Sequence, residues 1–463
     1  MTNTIREPSL RRQVEGFRRV FGQCQGGALD RVLTAESMEQ VLAQTCGRYR
    51  ERTYPPLTTL RLFVEQVLSA DRACQDVVGR HLSERVATGQ PECSLNTGPY
   101  CKARDRMPIE LPRRLMAEIG RQLEAQAPTA WRWHGRSVKI FDGTTVSMPD
   151  TADNQEAFPQ SSEQKPGLGF PVARIGGLIA LASGAVMAHA VVACKGKGTG
   201  EQTLLRQLMP QLERGDVLLA DALLTTWWNI AQAQALGVDV LMVQHARRVT
   251  DFSHGTRLGH KDHTVSWPRP HRPPWMGQAA YDALPLHLTM REVEVGGRFL
   301  VTTMLNRTAV SPEQLDALYA MRWNIEVDFR TIKADLEMDI LRCKQHERVE
   351  KEIAVYLLAY NLVRWAMATA ATLGHVLPRA LSFMGAKRVL TAFAEQLRHY
   401  PGKRPHVLIA IVLGAMASLE IPHRPGRVEP RAKKRRPKPL PLLTEPRTLA
   451  RQRIRQNQRT QNA

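Results

Sequence analysis

DVLLADALLTTWWNIAQAQALGVDVLMVQ, residues 216–244, decides the fold. DVLLAD (216–221) reads as a short buried strand, an apolar run with an acid at either end. ALLTTWWNIAQAQALG (222–237) reads as a helix stopped by Gly237. VDVLMVQ (238–244) reads as a second buried strand. Upstream, QTLLRQLMPQLERG (202–215) reads as a helix ending at Gly215, and SVKIFDG (137–143) as a short strand. The resulting order, strand, strand pair, helix, strand, helix, strand, predicts a mixed α/β layer with helices on both faces.

The strand pair in that order is IGGLIALASGAVMAHAVVAC (175–194), which carries no charge and has the length of a membrane helix. Ser183 and Gly184 sit midway between two halves containing β-branched residues, so two buried strands and a tight turn are expected instead. Residues 250–285 break the α/β rhythm with a basic stretch rich in His and Pro. Two more strands follow, LHLTMREVEVG and RFLVTTML. An insertion of this length, at about 250–308, suggests a subdomain with its own task.

Before residue 130 the chain reads as helical. LTTLRLFVEQVLSA (57–70) spaces its apolar residues for a helix. Arg72, Arg80, Arg85, Lys102, Arg104, Arg106, Arg113 and Arg114 recur on the polar sides. A DNA-binding helical region and a helical domain with a solvated basic face are both consistent with this. EKEIAVYLLAYNLVRWAMATAATLG (350–374) reads as a long apolar helix. After Pro422 thirteen Lys and Arg face two Glu, and RAKKRRPKP, with Lys433, Lys434, Arg435 and Arg436, is the densest run. A disordered tail that binds polyanions by charge is expected there. The expected division is thus 1–130 helical, 131–374 α/β with the insertion, 375–422 helical and 423–463 a basic tail.

The 463 residues carry a formal net charge of +20, which points to a polyanionic partner, nucleic acid first. A hydrophobic content of 43% is that of a globular chain. The seven cysteines contain no C-x-x-C pair, which argues against a disulfide framework or zinc ribbon and for a reducing cytoplasm. The opening MTNTIREPSLRRQVEGFRRV has no apolar signal core. His254, His260, His263 and His271 lack an accompanying Cys and fit a basic DNA-facing loop better than a zinc site. KGKGTGE (195–201) lacks phosphate-loop spacing and reads as a flexible turn.

The chemistry concentrates in SPEQLDALYAMRWNIEVDFRTIKADLEM (311–338), read as one helix opened by Ser311, Pro312 and Glu313. At about 100° per residue, Tyr319, Arg322, Glu326 and Lys333 fall within about 60° of arc, beside an apolar stripe. A salt-bridged surface face would look similar, because Arg322 and Glu326 form a favourable pair one turn apart. Asp142 and Asp221 stand at the ends of predicted strands, where α/β layers build sites. Each alone is read more simply as a turn or cap residue. Together with Glu326 they could hold a pair of Mg²⁺ ions through oxygen ligands, for displacement at a phosphodiester.

The spacing Y-x-x-R-x-x-x-E-x-x-x-x-x-x-K resembles the signature of the insertion-sequence-four family of DDE transposases. FDGTTVSMPDT (141–151) is similar to its first-Asp motif, GDVLLAD (215–221) to its second and GRVEPRAKKRRPKP (426–439) to its tails, so the resemblance covers roughly 137–440. It implies a ribonuclease-H-like catalytic core with an inserted β-rich subdomain before the catalytic helix. It implies Asp142, Asp221 and Glu326 as ligands of two Mg²⁺ or Mn²⁺ ions, and Tyr319, Arg322 and Lys333 as grips on DNA phosphates; Arg330, outside the signature, is a further DNA-binding candidate. One strand at a terminal inverted repeat would be cut. The freed 3′-hydroxyl would then attack across the duplex, closing a DNA hairpin, or attack in target DNA, within a homodimer that synapses two ends in a bacterial cytoplasm, on the nucleoid. Trp267 and Trp275 are candidates to stack an unstacked base, with Trp323 and plain core packing as the competing readings. Ala222 departs from the family, which often has Arg after the second Asp. A nuclease without strand transfer and a DNA-binding derivative with a dead site are the alternatives.

Overall fold

A computed structural model of the protein describes residues 34–49, 52–394, 396, 405–422 and 441–461. The N-terminal region is helical over its described part: α1 (Ala35–Thr45), α2 (Pro56–Leu68), α3 (Cys74–Ala87), α4 (Gly98–Arg106) and α5 (Glu110–Gln126). Its basic residues are not all on a solvated face. Arg72 donates to the Glu337 carbonyl at 3.2 Å, and the Arg104 guanidinium lies 3.6 Å over the Phe63 ring and 3.3 Å from Cys343 Sγ. Both are consumed in docking these helices onto residues 337–343. Helical periodicity placed them on the polar side because it cannot register a second domain packed there.

The α/β part begins with β1 (Val138–Ser147), α6 (Ala152–Ala157), β2 (Val172–Ala180), β3 (Val186–Ala193) and α7 (Glu201–Leu208). It continues with β4 (Val217–Ala220), α8 (Trp227–Ala235), β5 (Asp239–Val243), β6 (Thr256–Gly259), β7 (Asp262–Pro268), α9 (Gln278–Asp282), β8 (His287–Val295) and β9 (Arg298–Thr302). One mixed sheet takes all these strands in the order β3-β2-β1-β4-β5-β9-β8-β7-β6. β4 lies parallel to both β1 and β5, and the other pairs are antiparallel. Residues 175–194 form the expected hairpin, and Gly184 takes φ 75° in its turn. Strands from the 250–308 stretch do not stand apart. They extend the sheet beyond β5, with β9 as the junction.

Strand alternation assigns the two faces. Val138, Ile140, Val217, Leu219 and Leu241 pack into the core that also contains Leu318, Ile325 and Phe329 of the 311–338 segment. Phe141, Leu218, Ala220, Val240 and Met242 pack on the opposite side, with Leu204 of α7 and Ile230 of α8. Burying each of the Val, Leu, Ile, Phe and Met side chains among them contributes roughly 1.5–3 kcal/mol. α7 ends at Leu208, earlier than expected, because Pro210 turns the chain into a short 3₁₀ segment (Met209–Gln211). α8 likewise begins only after Thr226, whose hydroxyl caps it by accepting from Asn229 N–H.

The segment read as one helix from 311 is broken. α10 (Pro312–Ala320) starts with a full capping box between Ser311 and Gln314. A 3₁₀ turn (Met321–Trp323), α11 (Asn324–Arg330) and a π turn (Thr331–Asp335) follow. Next come α12 (His346–Gly374), α13 (Phe383–Ala392), α14 (Pro405–Ala417) and α15 (Arg447–Gln461). α12 is long and apolar enough to cross a membrane, but 94% of its most apolar window is buried inside the protein, where it is the central core helix. α15 corrects the expectation of disorder across the whole tail. RTLARQRIRQNQRTQ has no Gly or Pro and is rich in good helix formers. The run containing Lys433, Lys434, Arg435 and Arg436 lies outside the described residues.

Candidate active site

Asp142 does not end its strand. β1 continues to Ser147 and Asp142 pairs with Gly177 of β2. The β-branched run after Gly143 keeps the chain extended against β2. What does end nearby is the parallel pairing with β4, whose last partners are Ile140 and Leu219. Asp142 and Asp221 therefore both stand just past the carboxyl end of the parallel pair. By strand alternation both share the face of Ile140 and Leu219, the face covered by the helix that carries Glu326. That helix comes close because position 177 is glycine: a Cβ there would lie 2.9 Å from Phe329 Cζ. Glu326 precedes Phe329 by one turn, which brings it over Asp142.

Arg322 joins two of the three acids. Its guanidinium donates to Asp142 Oδ2 at 3.1 Å and to Glu326 Oε1 at 2.8 Å. Gly143 N–H donates to Asp142 Oδ1 at 2.7 Å. Asp221 caps the turn over Ala222–Leu224, its Oδ1 accepting from Leu224 N–H at 3.2 Å. Burial pushes the Asp142 carboxyl above the usual carboxylate range, and the charges of Asp221 and Glu326 push the same way against Gly143 N–H and Arg322. A fourth acid joins them. Burial, then Asp142 and Asp221, raise the Glu201 carboxyl, with Arg174 opposing. Burial likewise raises the Tyr319 hydroxyl, which Arg322 opposes.

Carboxylates gathered this closely favour a shared cation, and an all-oxygen donor set suits a hard divalent one. In this arrangement the positive charge between Asp142 and Glu326 is the Arg322 guanidinium. Among the described residues, no three His, Cys, Asp or Glu side chains close around one point. The residues fit a divalent cation in chemistry and sign, on condition that Arg322 gives up its two carboxylates.

The structure thus gathers Asp142, Asp221, Glu326, Arg322 and Tyr319. Lys333 is half-buried within the π turn, and the exposed Arg330 acts on Asp335. Trp267 is placed differently from its expected role as a stacking platform. It is 2% exposed, its indole N–H donates to Glu292 at 2.8 Å, and Arg248 covers its ring at 3.5 Å. Trp275 is open, 46% exposed, with Arg206 4.2 Å over its ring. His263 is also interior rather than DNA-facing, with its ring between the His254 carbonyl and Glu292. Glu201 escaped sequence reading. The available signal was an acid opening a helix directly after a glycine-rich turn.

The family described as Transposase DDE domain matches residues 133–362, a span that contains every acid of this site. The chain is 29% identical over 351 residues to the transposase InsG for insertion sequence element IS4 of Escherichia coli strain K12, covering 73% of this chain and 76% of that protein. The chain belongs to the insertion-sequence-four family of DDE transposases. It is a DNA transposase, an enzyme of phosphodiester cleavage and transesterification. The transposase for insertion sequence element IS421 of Escherichia coli is 37% identical over 71 residues, 15% of this chain and 19% of that protein. Among solved structures, the piggyBac transposase in a synaptic complex with hairpin DNA aligns with 90% of this chain and 87% of its own, at 8% identity and a TM-score of 0.41.

Proposed function

We propose that the transposase works through a ribonuclease-H-like core in which Asp142, Asp221 and Glu326 hold two Mg²⁺ ions. The observation that carries this is the convergence of both aspartates past the carboxyl end of the β1–β4 pair, on the face where Arg322 ties Glu326 to Asp142. When bound, the cations supply an activated attacking oxygen and neutralise the leaving one. The chain's own residues position the DNA. Tyr319, Arg322, Lys333 and Arg330 grip terminal phosphates. Arg322 exchanges two carboxylates for a phosphate, so DNA entry itself uncovers the acids. Trp275 is the exposed ring for an unstacked base, and the run Lys433–Arg436 tracks the flanking backbone by charge.

Residues 1–130 bind the terminal inverted repeat, 131–374 perform the chemistry and 375–422 support α12. Two ends must be joined, so a homodimer on synapsed DNA is the working unit, acting on the nucleoid in a bacterial cytoplasm. The test is to incubate the protein with its own terminal-repeat DNA and Mg²⁺ and to size the products. Nicked ends and joined strands are expected. Nicks without joints would make it a nuclease, and binding without either would make it a catalytically dead derivative.

A further inference from the structure

Gly143 follows Asp142 and faces the other side of β1, where α7 packs. A Cβ at this position would fall 2.7 Å from Glu201 Oε1, 2.8 Å from its Cγ and 3.0 Å from its Cδ. The Glu201 side chain therefore lies flat against the residue after the first aspartate, in space that only glycine leaves open. The next residue of α7 reaches the second aspartate's loop. Gln202 Nε2 donates to the Leu223 carbonyl at 3.1 Å, inside the turn capped by Asp221. The first turn of α7 thus touches the segments that carry both aspartates, with Glu201 against the first. Glu326 approaches Asp142 from the catalytic-helix face and Glu201 from the α7 face.

A first-turn acid is favourable for its own helix. That does not explain why this one folds back toward two other acids, whose charges oppose its ionisation. Among the described residues no hydrogen bond or ion pair is made to its carboxylate. Arg174, which acts on it, instead donates to the Thr199 carbonyl at 3.5 Å. A half-buried carboxylate in such company is costly unless a cation is shared.

We infer that Glu201 is a fourth carboxylate of the reaction centre, a positioning residue that strengthens the hold of Asp142 and Asp221 on their divalent cation. This rests on the ligand assignment proposed above. Glu201→Gln keeps the length and bulk and removes the charge. Gly143→Ala displaces the same carboxylate while leaving it ionised. The first readout is Mn²⁺ binding to the full-length protein without DNA, from the paramagnetic resonance of free Mn²⁺. The second is the Mg²⁺ concentration giving half-maximal end cleavage.

Both variants are expected to weaken Mn²⁺ binding by about 10–100-fold and to raise the Mg²⁺ requirement in step, with end binding unchanged and the Glu201→Gln melting temperature no lower than that of the wild type. Glu201→Asp should recover part of the loss. If Glu201→Gln binds Mn²⁺ like the wild type while Asp142→Asn does not, the proposal falls alone, and Glu201 merely fills the space over Gly143. If Asp142→Asn also binds normally, or the wild type binds no Mn²⁺, the ligand assignment falls and takes the proposal with it.

Discussion

Removing Asp328 should unfasten α11, the helix that carries Glu326, from the core. Asp328 lies two residues beyond Glu326 and is fully buried. Its carboxylate accepts from Tyr360 Oη at 3.0 Å, from Arg364 at 2.6 Å and from Arg379 at 2.9 and 3.1 Å. Arg379 also donates to the Ala180 and Leu181 carbonyls at the hairpin turn, so one carboxylate links α11, α12 and the sheet. In Asp328→Ala, Arg379 keeps its two carbonyls and some solvent. Arg364 is 4% exposed and keeps Tyr360 Oη, and its charge is left uncompensated. Breaking a buried pair in this way costs about 3–5 kcal/mol. At about 2–4 °C per kcal/mol for a domain of this size, the melting temperature should fall by roughly 6–20 °C. Thermal unfolding followed by circular dichroism measures this. The double variant Asp328→Ala/Arg364→Leu should recover much of the loss, because the orphaned charge goes with it. A fall below about 2 °C, within the range of an ordinary surface change, would refute the reasoning.

Other outcomes follow from the same geometry. The Asp142 carboxyl is raised in the folded protein, so folding retains its proton above the unfolded pKa and stability is lost as pH rises through the folded value. Asp142→Asn should therefore melt above the wild type at neutral pH, and the difference should shrink toward about pH 4, near the unperturbed carboxyl. Arg322→Ala should lower the salt dependence of end binding by about 0.9 in log–log slope, one phosphate contact. Trp267→Ala should cost about 3–5 kcal/mol of stability as a core truncation. Trp275→Ala should melt nearly normally and lower hairpin yield without affecting nicking, in an assay that scores the two separately.

The α/β core was legible because its signals are local. Residues 216–244 carry two buried strands and a helix in near-continuous sequence, and Ser183–Gly184 marks a hairpin turn. Asp142 was misplaced to a strand end because the acid and Gly143 resemble a terminator. The strand runs through them, held by β2 from distant sequence. The motif spacing picked out Arg322 and Glu326, but uniform helical geometry did not foresee the 3₁₀ and π turns on either side of α11. Those turns shift each residue's angular position, which is why Lys333 cannot be read from the same wheel as Tyr319. Trp267 and Trp275 looked equivalent in sequence. Burial beside Glu292 separates them, and that contact depends on the pairing of β7 with β8. Glu201 was invisible for the same reason: its partner surface is Gly143, far away in the chain.

The most direct measurement takes Asp142→Asn, Asp221→Asn and Glu326→Gln through the same two assays, binding to terminal-repeat DNA and Mg²⁺-dependent cleavage and joining of that DNA. Each should bind the end within a few-fold of the wild type and lose cleavage by at least about 10²–10³-fold, with strand transfer lost alongside. Wild-type cleavage by any one of the three would contradict the assignment of these acids as the reaction centre.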